Sequence, residues 1–184
     1  MRIQLKPILL SAVGIFALAA TVTLNSCKAD KCKAVVCAYD GVCQDDGSCK
    51  CQVGYEGERC ETITRDKFKG VWSVVEDGTA SSPAYYPVSV ENGEKVNEVL
   101  IRNFYNRHNS QVYAYVSGDT MTIPIQEVQV GEETIEVQGK AYAVPEEFYG
   151  LHGKLEVTYQ VTFEDGKHDR FGINGSSNVS IWTK

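Results

Sequence analysis

The chain has 184 residues, 43% of them hydrophobic, and a formal net charge of −6. That length suits one ordinary domain plus a small module, with enough apolar side chains for a packed core. An acidic chain repels phosphate backbones, which argues against a nucleic-acid partner. Ten Tyr, 16 Gly and frequent Val and Thr favour strands and turns over helices.

The first stretch is basic, then apolar, then small. Arg2 and Lys6 precede Ile8 to Leu24, a run without a charge, and Ser26 precedes Cys27. This order is that of a secretory signal. The competing reading, a permanent transmembrane helix, meets a run at the short limit for crossing roughly 30 Å of hydrocarbon. Leu24-Asn25-Ser26-Cys27 resembles the lipobox of bacterial lipoproteins, with Asn25 where Ala or Ser is usual. The resemblance implies that residues 1–26 are a removed signal peptide, that Cys27 receives a diacylglyceryl group, and that the new amino terminus can also be acylated. Acyl chains hold a protein at about 0.8 kcal/mol per buried methylene, so two or more anchor it stably. Residues 27–31 then form a short lipidated linker. Without a lipid, Cys27 is a seventh thiol exposed to an oxidising compartment.

Six cysteines follow: Cys32, Cys37, Cys43, Cys49, Cys51 and Cys60. Export permits disulfides, and six cysteines allow 15 pairings that spacing alone does not separate. Zinc is disfavoured, because no His lies between Cys27 and Cys60 and Cys49-Lys50-Cys51 is too tight. The spacing over 32–60, with Gly41 before Cys43 and Gly54-Tyr55-Glu56-Gly57 in the tail, resembles the EGF-like module. The resemblance implies bridges Cys32–Cys43, Cys37–Cys49 and Cys51–Cys60. Only Asp30 precedes Cys32, amid Lys28, Lys31 and Lys33, so no calcium site is expected.

From about residue 65 to 184 there is no cysteine. Leu155 to Phe163 alternates apolar and polar residues, the mark of a strand with one buried face, and Asp165-Gly166 then reads as a hairpin turn. Similar strands are expected at 71–75, 86–90, 96–104, 111–116, 121–128, 134–143, 169–173 and 179–183, with one short turn over 145–150. About nine strands joined by tight turns indicate a mainly β domain, an antiparallel barrel or, alternatively, a β-sandwich. Phe68, Gly70 and Trp72 resemble the opening strand of the lipocalins and fatty-acid-binding proteins. The stretch from Val112 to Val128 resembles the middle hairpin of lipocalin-like domains in Bacteroidetes lipoproteins. These resemblances favour a lipocalin-like barrel over 65–184. They imply that Trp72 closes its bottom, with Arg170 as the basic residue packed on it. Gly70 is expected to admit a close neighbour.

Chemistry-bearing patterns are sparse. His108, His152 and His168 are scattered, although Asp169 next to His168 could orient an imidazole. Glu132-Glu133 and Glu146-Glu147 read as solvated acids rather than a glycosidase pair. No nucleophile elbow, phosphate loop or metal cluster is legible, so no catalytic residue, metal or cofactor is expected. Tyr85, Tyr86, Tyr105, Tyr113, Tyr115, Tyr142 and Tyr149 offer flat faces with a polar handle, suited to sugar or protein surfaces or to the core. Asp119-Thr120-Met121 resembles a short Bacteroidetes glycosylation site, with Thr120 as acceptor. Lys28-Ala29-Asp30 loosely resembles the export tags of that phylum's surface lipoproteins. The expectation is a non-catalytic lipoprotein anchored in a bacterial outer membrane at the cell surface, holding a small apolar ligand in its barrel. The alternative is a filled barrel that contacts a surface protein or glycan.

Overall fold

The computed structural model describes residues 30–148 and 152–184. The expected signal peptide over 1–26, Cys27 and Tyr149 lie outside the described residues. The first part is a small module whose three disulfides join Cys32 to Cys43, Cys37 to Cys49 and Cys51 to Cys60. These are the pairs that the resemblance implies. The module holds a short 3-10 turn (Lys31–Ala34) and two small hairpins, β1 (Val42–Cys43) with β2 (Cys49–Lys50) and β3 (Tyr55–Glu56) with β4 (Thr62–Ile63). It has little apolar core, as its size dictates, so the bridges supply the constraint.

A second 3-10 turn (Thr64–Lys67) leads into nine further strands. They are β5 (Gly70–Glu76), β6 (Ala84–Asn92), β7 (Glu98–Arg102), β8 (Gln111–Ser117), β9 (Thr120–Val130), β10 (Glu133–Ala143), β11 (Lys154–Phe163), β12 (His168–Phe171) and β13 (Ser180–Thr183). Strands β5 to β11 pair in sequence, all antiparallel, and β13 bridges β11 back to β5. The result is a closed eight-stranded barrel rather than a sandwich. The eighth position is shared. β12 pairs with Tyr159–Thr162 and β13 with Lys154–Val157, so both lie along one edge of β11. Residues 172–179 leave the wall between them.

The alternation seen in the sequence points inward as expected. Trp72, Val74 and Glu76 of β5 face the interior while Val71 and Val75 are exposed. On β8, Val112, Ala114 and Val116 are buried while Tyr113 and Tyr115 face out. On β11, Leu155, Val157, Tyr159 and Val161 are fully buried. Phe163 is half-buried, and Gln160 is buried from the outside. It is covered by Arg170 and Asn174, both of which donate to its carbonyl oxygen.

The chain enters at one end of the barrel, and Trp72 seals that end. Its Nε1 donates to the Phe68 carbonyl at 2.7 Å, and Phe148 meets its ring edge-on. The basic partner differs from the expectation. Lys184 Nζ sits 4.4 Å from the Trp72 ring centre and donates to the carbonyls of Lys67 and Lys69. Arg170 belongs to β12, towards the other end, and its Nε donates to Gln160. The interrupted eighth strand explains this, since β13 is the segment that reaches the sealed end and Lys184 directly succeeds it. Gly70 also differs: nothing lies within 4 Å of where a Cβ would stand, and its φ of +121° is the reason for glycine.

The disulfide module docks on this same end. Arg65 Nη1 lies within hydrogen-bond distance of the carbonyls of Gly93, Lys95 and Glu98 in the β6–β7 turn. Lys67 bridges Glu56 of the module and Asp119 of the β8–β9 turn. Gly54 has no room for a side chain, because a Cβ would fall 2.5 Å from Val96 Cγ1.

Candidate functional site

The opposite end of the barrel carries its polar side chains. Two segments form it: the link from β5 to β6 over 77–83, and the loop over 103–110 between β7 and β8, which contains a 3-10 turn (Phe104–Asn106). Below them two carboxylates are buried, an arrangement the sequence did not disclose.

Glu76 ends the inward row of β5. Its Oε1 accepts from the Tyr86 hydroxyl at 2.6 Å, and its Oε2 accepts from Tyr159 at 2.8 Å and Ser180 at 2.7 Å. Ser180 Oγ accepts in turn from Trp182 Nε1. Burial pushes the Glu76 carboxyl above its ordinary range, against the three hydroxyl bonds and with help from the charge of Asp169. The Tyr86 and Tyr159 hydroxyls are driven up as well, first by burial and then by neighbouring charge. This cluster is a satisfied polar plug, in which every group is tied to another.

Asp169 is the second carboxylate and is wholly buried. Its Oδ1 accepts from Ala80 N at 2.8 Å and from Thr79 Oγ1 at 3.4 Å, and its Oδ2 accepts from the Tyr105 hydroxyl at 2.8 Å. Burial alone would raise this carboxyl. Hydrogen bonds from Ser81, Ala80, Tyr105 and Arg170 outweigh that and hold it below the ordinary aspartate range. One side chain thus pins both loops of this end.

Two open pockets flank the plug. The larger, of 560 Å³, is mostly apolar and is lined by Val75, Pro83, Tyr85, Val179 and Ile181 among others. The smaller, of 290 Å³, is lined by Glu76, Ser81, Ser82, Ala84, Tyr105, Asn106 and Arg107. A third, of 370 Å³, lies on the barrel wall beside Pro124, Gly139, Lys140 and Ile173.

The candidate residues read from sequence are scattered by the fold. His168 faces away from Asp169 on the other side of β12; its Nδ1 is 3.2 Å from Thr162 Oγ1. The imidazole–carboxylate pairing that the adjacency of His168 and Asp169 allowed is therefore absent, because neighbours in a strand point to opposite faces. Glu132 lies in the β9–β10 turn, Glu133 opens β10, and Glu146-Glu147 lie in a 3-10 turn (Pro145–Glu147) beyond the other end of that strand. Thr120 opens β9 at a hairpin and is half-exposed. Tyr85, Tyr113, Tyr115 and Tyr142 face outward, whereas Tyr86 and Tyr159 join the plug. Among the described residues no group of three or more His, Cys, Asp or Glu could hold a metal ion, and no helix is long and apolar enough to cross a membrane.

The described residues therefore define a small disulfide-bonded module followed by a closed eight-stranded antiparallel β-barrel. No protein-family model matches the chain, and no curated protein matches it.

Proposed function

We propose that the chain is a non-catalytic, lipid-anchored binding protein of a bacterial cell surface, with an EGF-like module and a lipocalin-like barrel, that recognises its partner on the outside of the barrel. The observation that carries this reading is the occupied interior. Trp72, Trp182, Tyr159, Phe68, Phe104, Phe171 and Met121 are all less than 2% exposed, and Phe104 and Phe171 pack on Tyr159 at 4.7 and 4.2 Å between ring centres. An apolar ligand held in the barrel would have to displace these side chains, at the cost of close-packed contacts. The loops around Asp169 and the pockets beside them offer preformed recesses instead. The anchor at Cys27 rests on the Leu24–Cys27 motif. It also gives the geometry a use, since the module docks on the sealed end and leaves the looped end on the opposite side of the barrel. Native mass spectrometry of the full chain purified from its own cells tests the reading. No small apolar molecule should accompany the lipidated polypeptide, and a stoichiometric fatty or isoprenoid ligand would return the function to the barrel interior.

A further inference from the structure

The smaller pocket at the looped end has a built character that the other two lack. Its two walls are fixed by a common buried group, Asp169, which accepts from Ala80 in one wall and from Tyr105 in the other. The second wall adopts backbone conformations that side chains disfavour. Asn103, Tyr105 and Asn106 have φ of 60°, 55° and 53°. For a bulky residue such as Tyr105 this is a genuine outlier, of the kind that concentrates at binding sites and persists only when its surroundings enforce it. The enforcement is visible. Phe104 is buried against Tyr159, Ser110 Oγ donates to the Phe104 carbonyl, and Asn103 Nδ2 donates to the Pro87 carbonyl at 2.7 Å.

The functional groups so placed are two serine hydroxyls, a primary amide, a guanidinium, a phenol and a carboxylate. The acid and the guanidinium balance, so the pocket has no net formal charge. Glu76 already accepts three hydrogen bonds and does not call for a cation. Arg107 meets Glu133 at Nη2, at 3.6 Å, and its guanidinium lies over the Tyr105 ring at 5.9 Å from the centroid, while the Ser82 hydroxyl and Asn106 amide have no hydrogen-bond partner among the described residues. A ligand that suits this set must both donate and accept at several adjacent atoms while carrying little charge. Vicinal hydroxyls do so, because amide and guanidinium groups present paired atoms in one plane and the serine hydroxyls both donate and accept. The 290 Å³ volume lies at the small end of ligand sites.

We propose that the pocket formed by Ser81, Ser82, Tyr105, Asn106 and Arg107 over Glu76 binds one ring of a neutral glycan. The proposal rests on the reading of outward recognition and names its ligand class. Saturation-transfer-difference NMR on the full chain in detergent micelles tests it, with methyl β-glucopyranoside, methyl β-galactopyranoside and methyl α-mannopyranoside as probes. At least one glycoside should receive saturation. Its affinity should fall roughly fivefold or more in Arg107→Ala, as expected for a lost hydrogen bond, and in Ser82→Phe, which fills the pocket from an exposed position. Both variants should keep the wild-type melting temperature; if Ser82→Phe does not, Arg107→Ala decides alone. No transfer to any of the three glycosides, or transfer undiminished by Arg107→Ala, overturns the proposal. Such a failure leaves outward recognition standing, because that reading falls only to an apolar molecule retained inside the barrel.

Discussion

Single side chains settle both ends of this barrel. Trp72 contributes a large buried surface, a hydrogen bond to Phe68 and the ring on which Lys184 rests. Burial lowers the Lys184 ammonium from its ordinary value, so its two carbonyl partners and the indole face stand in for water. Trp72→Ala should destabilise the barrel by about 3–5 kcal/mol in urea unfolding, whereas Tyr85→Ala, on the outer face at 75% exposure, should change it by less than about 0.5 kcal/mol. At the looped end the two carboxylates should shape the pH profile in opposite senses. Glu76 has a raised pKa, so its stabilising contribution is full below its ordinary value of 4.5 and is lost as pH rises through the raised one. Glu76→Gln should therefore gain on the wild type as pH increases. Asp169 has a lowered pKa, so its contribution is present above its ordinary value of 3.8 and disappears as pH falls through the lowered one. Asp169→Asn should cost about 1–3 kcal/mol near neutrality and converge on the wild type in acid. Unfolding curves across a pH series would check both, and a Glu76→Gln profile parallel to the wild type would remove the raised pKa.

At the scale of elements, the module and the barrel are joined by a dock rather than by a free tether. Arg65 reaches three carbonyls of one turn, Lys67 spans two acids, and Gly54 allows the module to approach Val96. Gly54 has φ of +91° as well, so both its conformation and its space exclude a side chain. Gly54→Val should loosen the dock without unfolding the barrel. Hydrogen exchange should then speed up over 93–98 and stay slow over β10 and β11, which pair along nine residues. Faster exchange throughout the barrel would mean that the module is part of its folding unit. Reduction of the three bridges should likewise leave the barrel's sheet signal intact, because the barrel's own wall contains no cysteine.

For the whole molecule, the proposed anchor and the observed dock would act together. With Cys27 acylated, Lys31 lies four residues further along the chain, a reach of at most about 14 Å. The module would then lie against the membrane and hold the sealed end of the barrel towards it. Cys27→Ser should release the chain from membranes in carbonate washes, and retention would favour an uncleaved helix. Protease shaving of intact cells should cut the looped end first, near 77–83 or 103–110, and complete protection would place the protein on the inner face. Intact mass should show whether a hexose sits on Thr120, whose half-exposed position at a hairpin permits one.

The sequence by itself determined the elements. Strict alternation along Leu155–Phe163 and Gln111–Val116 follows from side chains pointing to opposite faces of a half-buried strand, and all nine expected strands are present, with ends displaced by two residues at most. Cysteine spacing with the Gly54–Gly57 tail implied the three bridges through resemblance, although spacing alone left 15 pairings open. Tertiary structure alone decided which groups meet. Glu76, Tyr86, Tyr159 and Ser180 come from four strands, and nothing local brings them together, since an acid ending a strand reads as exposed until closure buries it. Asp169 was legible as a neighbour of His168, yet its partners Ala80 and Tyr105 lie 89 and 64 residues away. Arg170 was the expected partner of Trp72 because the sequence does not reveal that residues 172–179 break the eighth strand. That break leaves Lys184, not Arg170, at the sealed end. Periodicity is a property of one strand and is written locally. Which strand end meets which loop depends on how the barrel closes, and only the closed chain specifies that.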